Sequence, residues 1–351
     1  MVIVEAPTRS AREILSWSRA ECDPALRAAV GSLPASMRRV AEYHFGWRDE
    51  DGKPSGATAG KAVRPALTLL TASALGAARG AAVPAAVAVE LVHNFSLLHD
   101  DVMDGDLTRR HRATAWAVFG ANPAILAGDA LLTLAFDVLG EAAVPVRAAH
   151  RPAARALGEC VHRLLDGQSA DLEFEERDRV EVTEGLRMSA AKTGALLGCA
   201  CAMGALYGEA AVDGDLSDVT RLRTFGEKVG LAFQFVDDLL GIWGEPAVTG
   251  KPVHSDLANR KKSLPVVRAL AADGEASSAL AALYHRAGPL SPVELAEAAA
   301  LIEDTGARAW CQEQADRLVL EALVELPASR VTARGAAELT AMAEVLTRRD
   351  H

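Results

Sequence analysis

The stretch His93-Asn94-Phe95-Ser96-Leu97-Leu98-His99-Asp100-Asp101-Val102-Met103-Asp104, followed by Gly105-Asp106-Leu107-Thr108-Arg109-Arg110, closes an apolar run that begins near Ala82. Read as a helix, it puts Asp100 and Asp104 about 40° apart on one face, with Asp101 beside them. Carboxylates so close repel one another, and the cluster destabilises an isolated helix. A divalent cation removes that cost. Hard oxygen ligands on one face suit Mg²⁺, which keeps several waters and often bridges to phosphates. The arginine pair just beyond points the same way, because the guanidinium fork matches phosphate oxygens.

The rest of the chain is consistent with a helical protein. Half of its 351 residues are apolar, aromatics are few, and Ala and Leu dominate. That composition favours close-packed helices, and no alternating β-branched run or Asn-Gly turn argues for sheet. The expected fold is all-α, one domain over residues 1–351 with residues 1–9 disordered. A net charge of −10 speaks against general nucleic-acid binding. Five cysteines, Cys22, Cys160, Cys199, Cys201 and Cys311, show no metal-ligand spacing and fit buried thiols in a reducing compartment. No signal peptide opens the chain, and the most apolar stretch, Gly194 to Tyr207, is too short to span a membrane. A cytoplasmic protein is expected.

Along the chain, Ser10 is placed to cap a first helix ending near Gly31, and Pro34-Ala35-Ser36 to open a second. A polar loop from His44 to Ala59 leads to Gly60-Lys61-Ala62-Val63-Arg64-Pro65. There Lys61 and Arg64 flank a helix start that already favours anions. A helix is read over Pro123 to Gly140, and another from Pro152 to Asp166 that runs into Gly167-Gln168-Ser169-Ala170-Asp171-Leu172. Charged residues from Glu173 to Glu184 read as a surface link before Met188-Ser189-Ala190-Ala191-Lys192-Thr193-Gly194. The segment Leu222 to Leu240 carries Gln234, Asp237 and Asp238, and a loop with Thr249-Gly250-Lys251 precedes Arg260-Lys261-Lys262-Ser263. Beyond it, short amphipathic helices divide near Gly274, Gly288 and Gly306 and carry no visible chemistry.

Two Asp pairs, each closing a long apolar helix, with several cations around them, make an inventory for Mg²⁺ and polyphosphate. In order, Gly60-Lys61-x-x-Arg64-Pro65, Asp100 to Asp104 with Arg109-Arg110, Gly167-Gln168-x-x-Asp171-Leu172, Lys192-Thr193, Gln234 to Asp238, Gly250-Lys251 and Lys261-Lys262-Ser263 resemble the motifs of the trans-isoprenyl diphosphate synthases, the polyprenyl synthetase family. The match covers about residues 60–265.

The resemblance implies a helical bundle around a deep central cavity, commonly a homodimer, with the two acidic motifs facing each other across the cavity mouth and holding three Mg²⁺ on an allylic diphosphate. Carried over, Asp100, Asp104 and Asp237 are the principal metal ligands, supported by Asp101 and Asp238. Arg109, Lys192 and Lys251 take the allylic diphosphate; Lys61, Arg64, His93 and Arg110 take isopentenyl diphosphate. Carbonyls near Lys192-Thr193 and the Gln234 side chain steady an allylic cation. The implied activity is Mg-dependent head-to-tail prenyl transfer.

Departures are local. Gly241 stands where the family usually has a third Asp, which is expected to weaken metal binding without abolishing it and to make Gly241→Asp tolerable. His111-Arg112-Ala113-Thr114 replaces the usual Gly-x-Pro, with no expected effect on diphosphate contacts. A degenerate second motif also suits a class I terpene cyclase, but such an enzyme needs no isopentenyl site. A non-catalytic partner subunit fits poorly with an intact first motif. Product length in the family follows bulk upstream of the first motif. Here Phe95 lies five residues before Asp100, roughly 7.5 Å along a helix, beside the small Ser96. That pattern resembles synthases stopping at C20, with C15 second.

Overall fold

The computed structural model describes residues 7–57, 60–141, 147–208, 211, 214–246 and 252–348. Two compact units divide the chain. One takes the residues up to Glu159 with Cys199–Arg223 and Leu326–Met342; the other takes Cys160–Gly198, Thr224–Glu325 and the chain from Ala343.

In the first unit lie α1 (Ala11–Gly31), α2 (Ala35–His44), α3 (Val63–Ala74) and α4 (Val83–Met103). A two-stranded hairpin follows, β1 (Thr108–Arg109) with β2 (Arg112–Ala113), then α5 (Ala115–Phe119) and α6 (Ala121–Glu141). Ser10 caps α1 as expected, in a reciprocal capping box with Glu13. Helix α4 is buried on nearly every side, from Ala85 through Leu91, Phe95 and Leu98, which marks a core helix. It packs most extensively on α6 and also meets α1 and α3. Helix α6 turns Ala124, Ala127, Leu131 and Ala135 inward and leaves Ile125, Leu126 and Phe136 exposed. Among the described residues it is the one helix long and apolar enough, by length and composition, to cross a membrane.

Helix α7 (Arg147–Glu176) begins in the first unit and continues in the second. It runs ten residues past the expected Asp166, so Glu173 to Glu176 are helical rather than a link, and Pro152 sits inside it rather than at its first position. Then come α8 (Val182–Ser189), a π-helical turn at Ala190–Gly194, α9 (Ala195–Ala205) and α10 (Ser217–Trp243). The remaining helices are α11 (Ser255–Ala258), α12 (Leu264–Leu270), α13 (Glu275–Tyr284), α14 (Pro292–Asp304), α15 (Ala307–Leu323) and α16 (Ala333–Thr347). One core of the second unit gathers Phe235, Leu264, Cys311 and Leu318, with Phe235 edge-on to Trp310 at 5.7 Å. A second gathers Ile242, Leu257, Val266, Leu280 and Ile302. Burying each such side chain stabilises by roughly 1.5–3 kcal/mol.

Arg9, expected in a loose terminus, is anchored in the first unit. Its backbone N–H and its guanidinium donate to Glu338 at 2.6–3.0 Å, and Arg334 donates to the same carboxylate at 2.9 Å. Burial alone would raise the Glu338 pKa, but the hydrogen bonds from Arg9 and Arg334 hold it down to about 2. Because this lies below the unfolded value, the contribution to stability is complete above about pH 5 and fades as pH falls towards 2. Glu338→Gln is expected to cost about 2 kcal/mol at neutral pH, and thermal unfolding should show the deficit shrinking on acidification.

Candidate active site

Asp100 and Asp101 lie in the last turn of α4, and Asp104 caps it, its N–H donating to the Asp100 carbonyl at 2.8 Å. The three carboxylates are not equivalent. Asp104 is exposed and Asp100 half-buried, whereas Asp101 turns inward at 1% exposure. Arg109 Nε donates to Asp101 Oδ1 at 2.6 Å. Burial raises the Asp101 carboxyl above the usual range, against the pull of Arg109. Its Oδ2 is buried with no hydrogen-bond partner.

The hairpin that carries the arginines turns at Arg110 and His111, both with positive φ (52° and 60°). This is the mirror-image turn that suits a two-residue hairpin and favours glycine. His111 therefore lies in the turn that carries Arg109 and Arg110. Behind the hairpin, Glu90 and Asn94 of α4 are hydrogen-bonded to one another, and the charges of Arg64 and Arg110 act on Glu90. Burial, with Arg64, Arg110 and Arg109 nearby, pushes His93 well below the usual histidine range, so it stays neutral. Lys61 is exposed just before α3, whose N-cap Ala62 has φ 52°. In the first unit the charges of Arg64 and Arg110 thus act on His93.

Phe95, one turn before His99, is 3% exposed and meets the His99 ring edge-on at 4.8 Å. The Ser96 hydroxyl donates to the His93 carbonyl at 2.8 Å. Phe95 is thus held by its neighbours as well as by helix register.

In the second unit, Lys192 lies in the π turn, and its Nζ is 2.6 Å from Asp171 Oδ2 on α7. Gly167 permits this approach, since a methyl there would sit 2.5 Å from the Lys192 backbone nitrogen. Thr193 Oγ1 donates to Gln234 Oε1 at 2.5 Å, and Gln234 Nε2 donates to Asp238 Oδ1 at 2.7 Å. The Leu264 N–H, at the start of α12, donates to Asp238 Oδ2 at 2.8 Å. Asp238 is buried at 3% exposure, and burial pushes its pKa up to about 7 against the pull of Lys261 and these donors. Asp237, next to it, is exposed. Lys251, with Thr249 and Gly250, lies outside the described residues.

The sequence pattern described as Polyprenyl synthetase matches residues 55–302. The chain belongs to the polyprenyl synthetase family. It is accordingly a prenyltransferase. It is 45% identical over 345 residues to the (2E,6E)-farnesyl diphosphate synthase of Mycobacterium tuberculosis, covering 97% of this chain and 94% of that protein. It is 42% identical to the geranylgeranyl diphosphate synthase of the same organism, over 98% of this chain and 95% of that one. The crystal structure of a polyprenyl synthetase from Streptomyces coelicolor A3(2), 48% identical, superposes with a TM-score of 0.90 over 96% of this chain and 99% of that chain.

For a member of this family, the acidic residues divide by position. In each pair the first Asp faces outward, and the second is held inside by protein donors. Asp238, expected to support the principal metal ligands, accepts from Gln234 on one oxygen and from the α12 N-terminus on the other. Among the described residues no three His, Cys, Asp or Glu side chains form a ready-made cage. Mg²⁺, on which the family depends, takes one or two carboxylates and completes its shell with water and substrate phosphates. The all-oxygen donor set and the unsatisfied Asp101 Oδ2 fit such an ion.

Three residues without a role in the sequence reading belong here. Burial would lower the Lys261 pKa, but Asp238, Asp256, Asp171 and Asp237 together hold it above the usual lysine value. Its neighbour Lys262 is structural, donating to the Arg177 carbonyl at 2.8 Å. Asp171 and Asp256 complete the set around Lys261. The two adjacent lysines follow a helix break, so their different partners are not apparent from helical register.

Gly167→Ala is expected to cost about 1–3 kcal/mol by overpacking the π turn. Gly140→Ala, in α6 with nothing within 4 Å, should gain about 0.5–1 kcal/mol. Thermal unfolding of the two variants side by side checks the contrast.

Proposed function

We propose that the chain condenses isopentenyl diphosphate with an allylic diphosphate, giving a short-chain prenyl diphosphate of C20, with C15 as the second reading. The observation that carries it is the division of the acidic motifs into outward Asp100, Asp104 and Asp237 and inward Asp101 and Asp238. The relatives named as farnesyl and geranylgeranyl diphosphate synthases support the product range.

In this reading Asp100, Asp104 and Asp237 hold Mg²⁺, about three ions per site by analogy with the family. Bound Mg²⁺ supplies charge neutralisation for a departing diphosphate. Arg109, Lys192 and Lys251 bind the allylic diphosphate, and Lys61, Arg64, His93 and Arg110 bind isopentenyl diphosphate. Asp101 aims Arg109, and Asp171 aims Lys192. Carbonyl oxygens near Lys192-Thr193 in the π turn and the Gln234 side chain steady a developing allylic cation. The released diphosphate takes the final proton, so no side-chain base is required. Phe95, backed by His99, forms the floor that limits chain length.

The exposed apolar stripe of α6, Ile125, Leu126 and Phe136, supports a homodimer. The five cysteines, all buried and without disulfides, support a cytoplasmic setting.

Incubation with isopentenyl diphosphate, each allylic primer in turn and Mg²⁺, followed by sizing of products, tests the reaction. A longer diphosphate is expected. A hydrocarbon or alcohol formed from geranylgeranyl diphosphate alone would instead identify a cyclase, and metal binding without turnover a partner subunit. Asp100→Ala is expected to lower turnover by about a thousandfold. Phe95→Ala should lengthen the product, and an unchanged chromatographic profile would rule out the floor.

A further inference from the structure

The second acidic motif reads Asp237-Asp238-Leu239-Leu240-Gly241, one carboxylate short on the face of Asp237. That face is not bare. A methyl group placed on Gly241 would sit 2.2 Å from Asp256 Oδ2, 2.4 Å from its Cγ and 2.8 Å from Oδ1. The whole Asp256 carboxylate therefore lies over the Gly241 Cα, where a side chain at that position would begin. A side chain introduced at 241, as in Gly241→Asp, has to displace the Asp256 carboxylate first.

The segment bearing Asp256 is fixed to the end of α10. The His254 N–H donates to the Ile242 carbonyl at 3.2 Å, Ser255 Oγ to the Gly241 carbonyl at 3.4 Å, and the Lys261 N–H to the Asp256 carbonyl at 2.9 Å. Leu257 is fully buried in the core with Ile242. The Asp256 charge also acts on Asp238 and on Lys261.

We propose that Asp256 supplies, from a separate helix, the carboxylate that the second acidic motif lacks at Gly241. The absence of a Cβ at 241 is what admits it. This rests on the metal-dependent reading above and extends it: the motif is completed through space, and Gly241 and Asp256 are coupled.

Mn²⁺ binding to the full-length protein in the presence of inorganic pyrophosphate, followed by the electron paramagnetic resonance of free Mn²⁺, tests the proposal. Asp256→Asn is expected to weaken Mn²⁺ binding about tenfold. Gly241→Ala, which adds no charge, should displace the same carboxylate and weaken binding severalfold. The double variant Gly241→Asp/Asp256→Ala should return to within about threefold of wild type, where Asp256→Ala alone does not. Unchanged Mn²⁺ affinity in both Asp256→Asn and Gly241→Ala would overturn the proposal. So would a fall in metal-free thermal midpoint at unchanged affinity, which would make Asp256 only the counter-ion of Lys261. A wild type that binds Mn²⁺ with pyrophosphate yet elongates no primer would overturn the reaction assigned above, and the Asp256 comparison would still decide this point.

Discussion

The carboxylate of Asp238 accepts a hydrogen bond from the Gln234 amide on one oxygen and from the Leu264 N–H on the other. A buried acid with fewer donors would be costly; with these it joins three pieces of chain that are far apart in sequence. Gln234 passes the connection on to Thr193 in the π turn, and Leu264 brings the positive end of α12 to bear on the carboxylate. Lys261 completes the neutralisation. The exposed position of Asp237 is a consequence of this anchoring, since adjacent residues on a helix point about 100° apart.

The first acidic motif solves the same problem with different parts. Asp101 is anchored by an arginine carried on a hairpin rather than by a helix terminus. The difference matters for the chemistry. An arginine on a tight turn anchors the acid through Nε and, in the proposed reaction, is also the donor for phosphate. The amide and backbone donors around Asp238 have no such second use. The cations of that unit's motifs are lysines, and Lys192 and Lys261 are both held among carboxylates there.

Much of this is legible in the sequence. Ser10 with Glu13 marks a helix start by its own chemistry, and Gly274, Gly288 and Gly306 each take a positive φ where a helix break was read. The motif residues are legible because their type and spacing carry the charge pattern. What stayed hidden depends on tertiary approach. The stretch after Asp166 is polar enough to read as a link, yet packing of Phe174 with Val180, Met188 and Val267 keeps it helical to Glu176. Lys261 and Lys262 are adjacent and alike in type, and only the tertiary fold gives one the surrounding aspartates and the other the Arg177 carbonyl. The gap at Gly241 read as a loss, because its filling comes from fifteen residues further along.

The π turn at Ala190–Gly194 sets a constraint on how this sequence can vary. A π turn holds one more residue than the α-helical turn it replaces, so α9 begins out of phase with α8. Removing one alanine from Ala190-Ala191 would restore an uninterrupted α-helix and improve its local hydrogen bonding. It would also rotate everything beyond by about 100°, carrying the small residues of α9 away from the surfaces they fit. The segment can exchange side chains, but its length is locked.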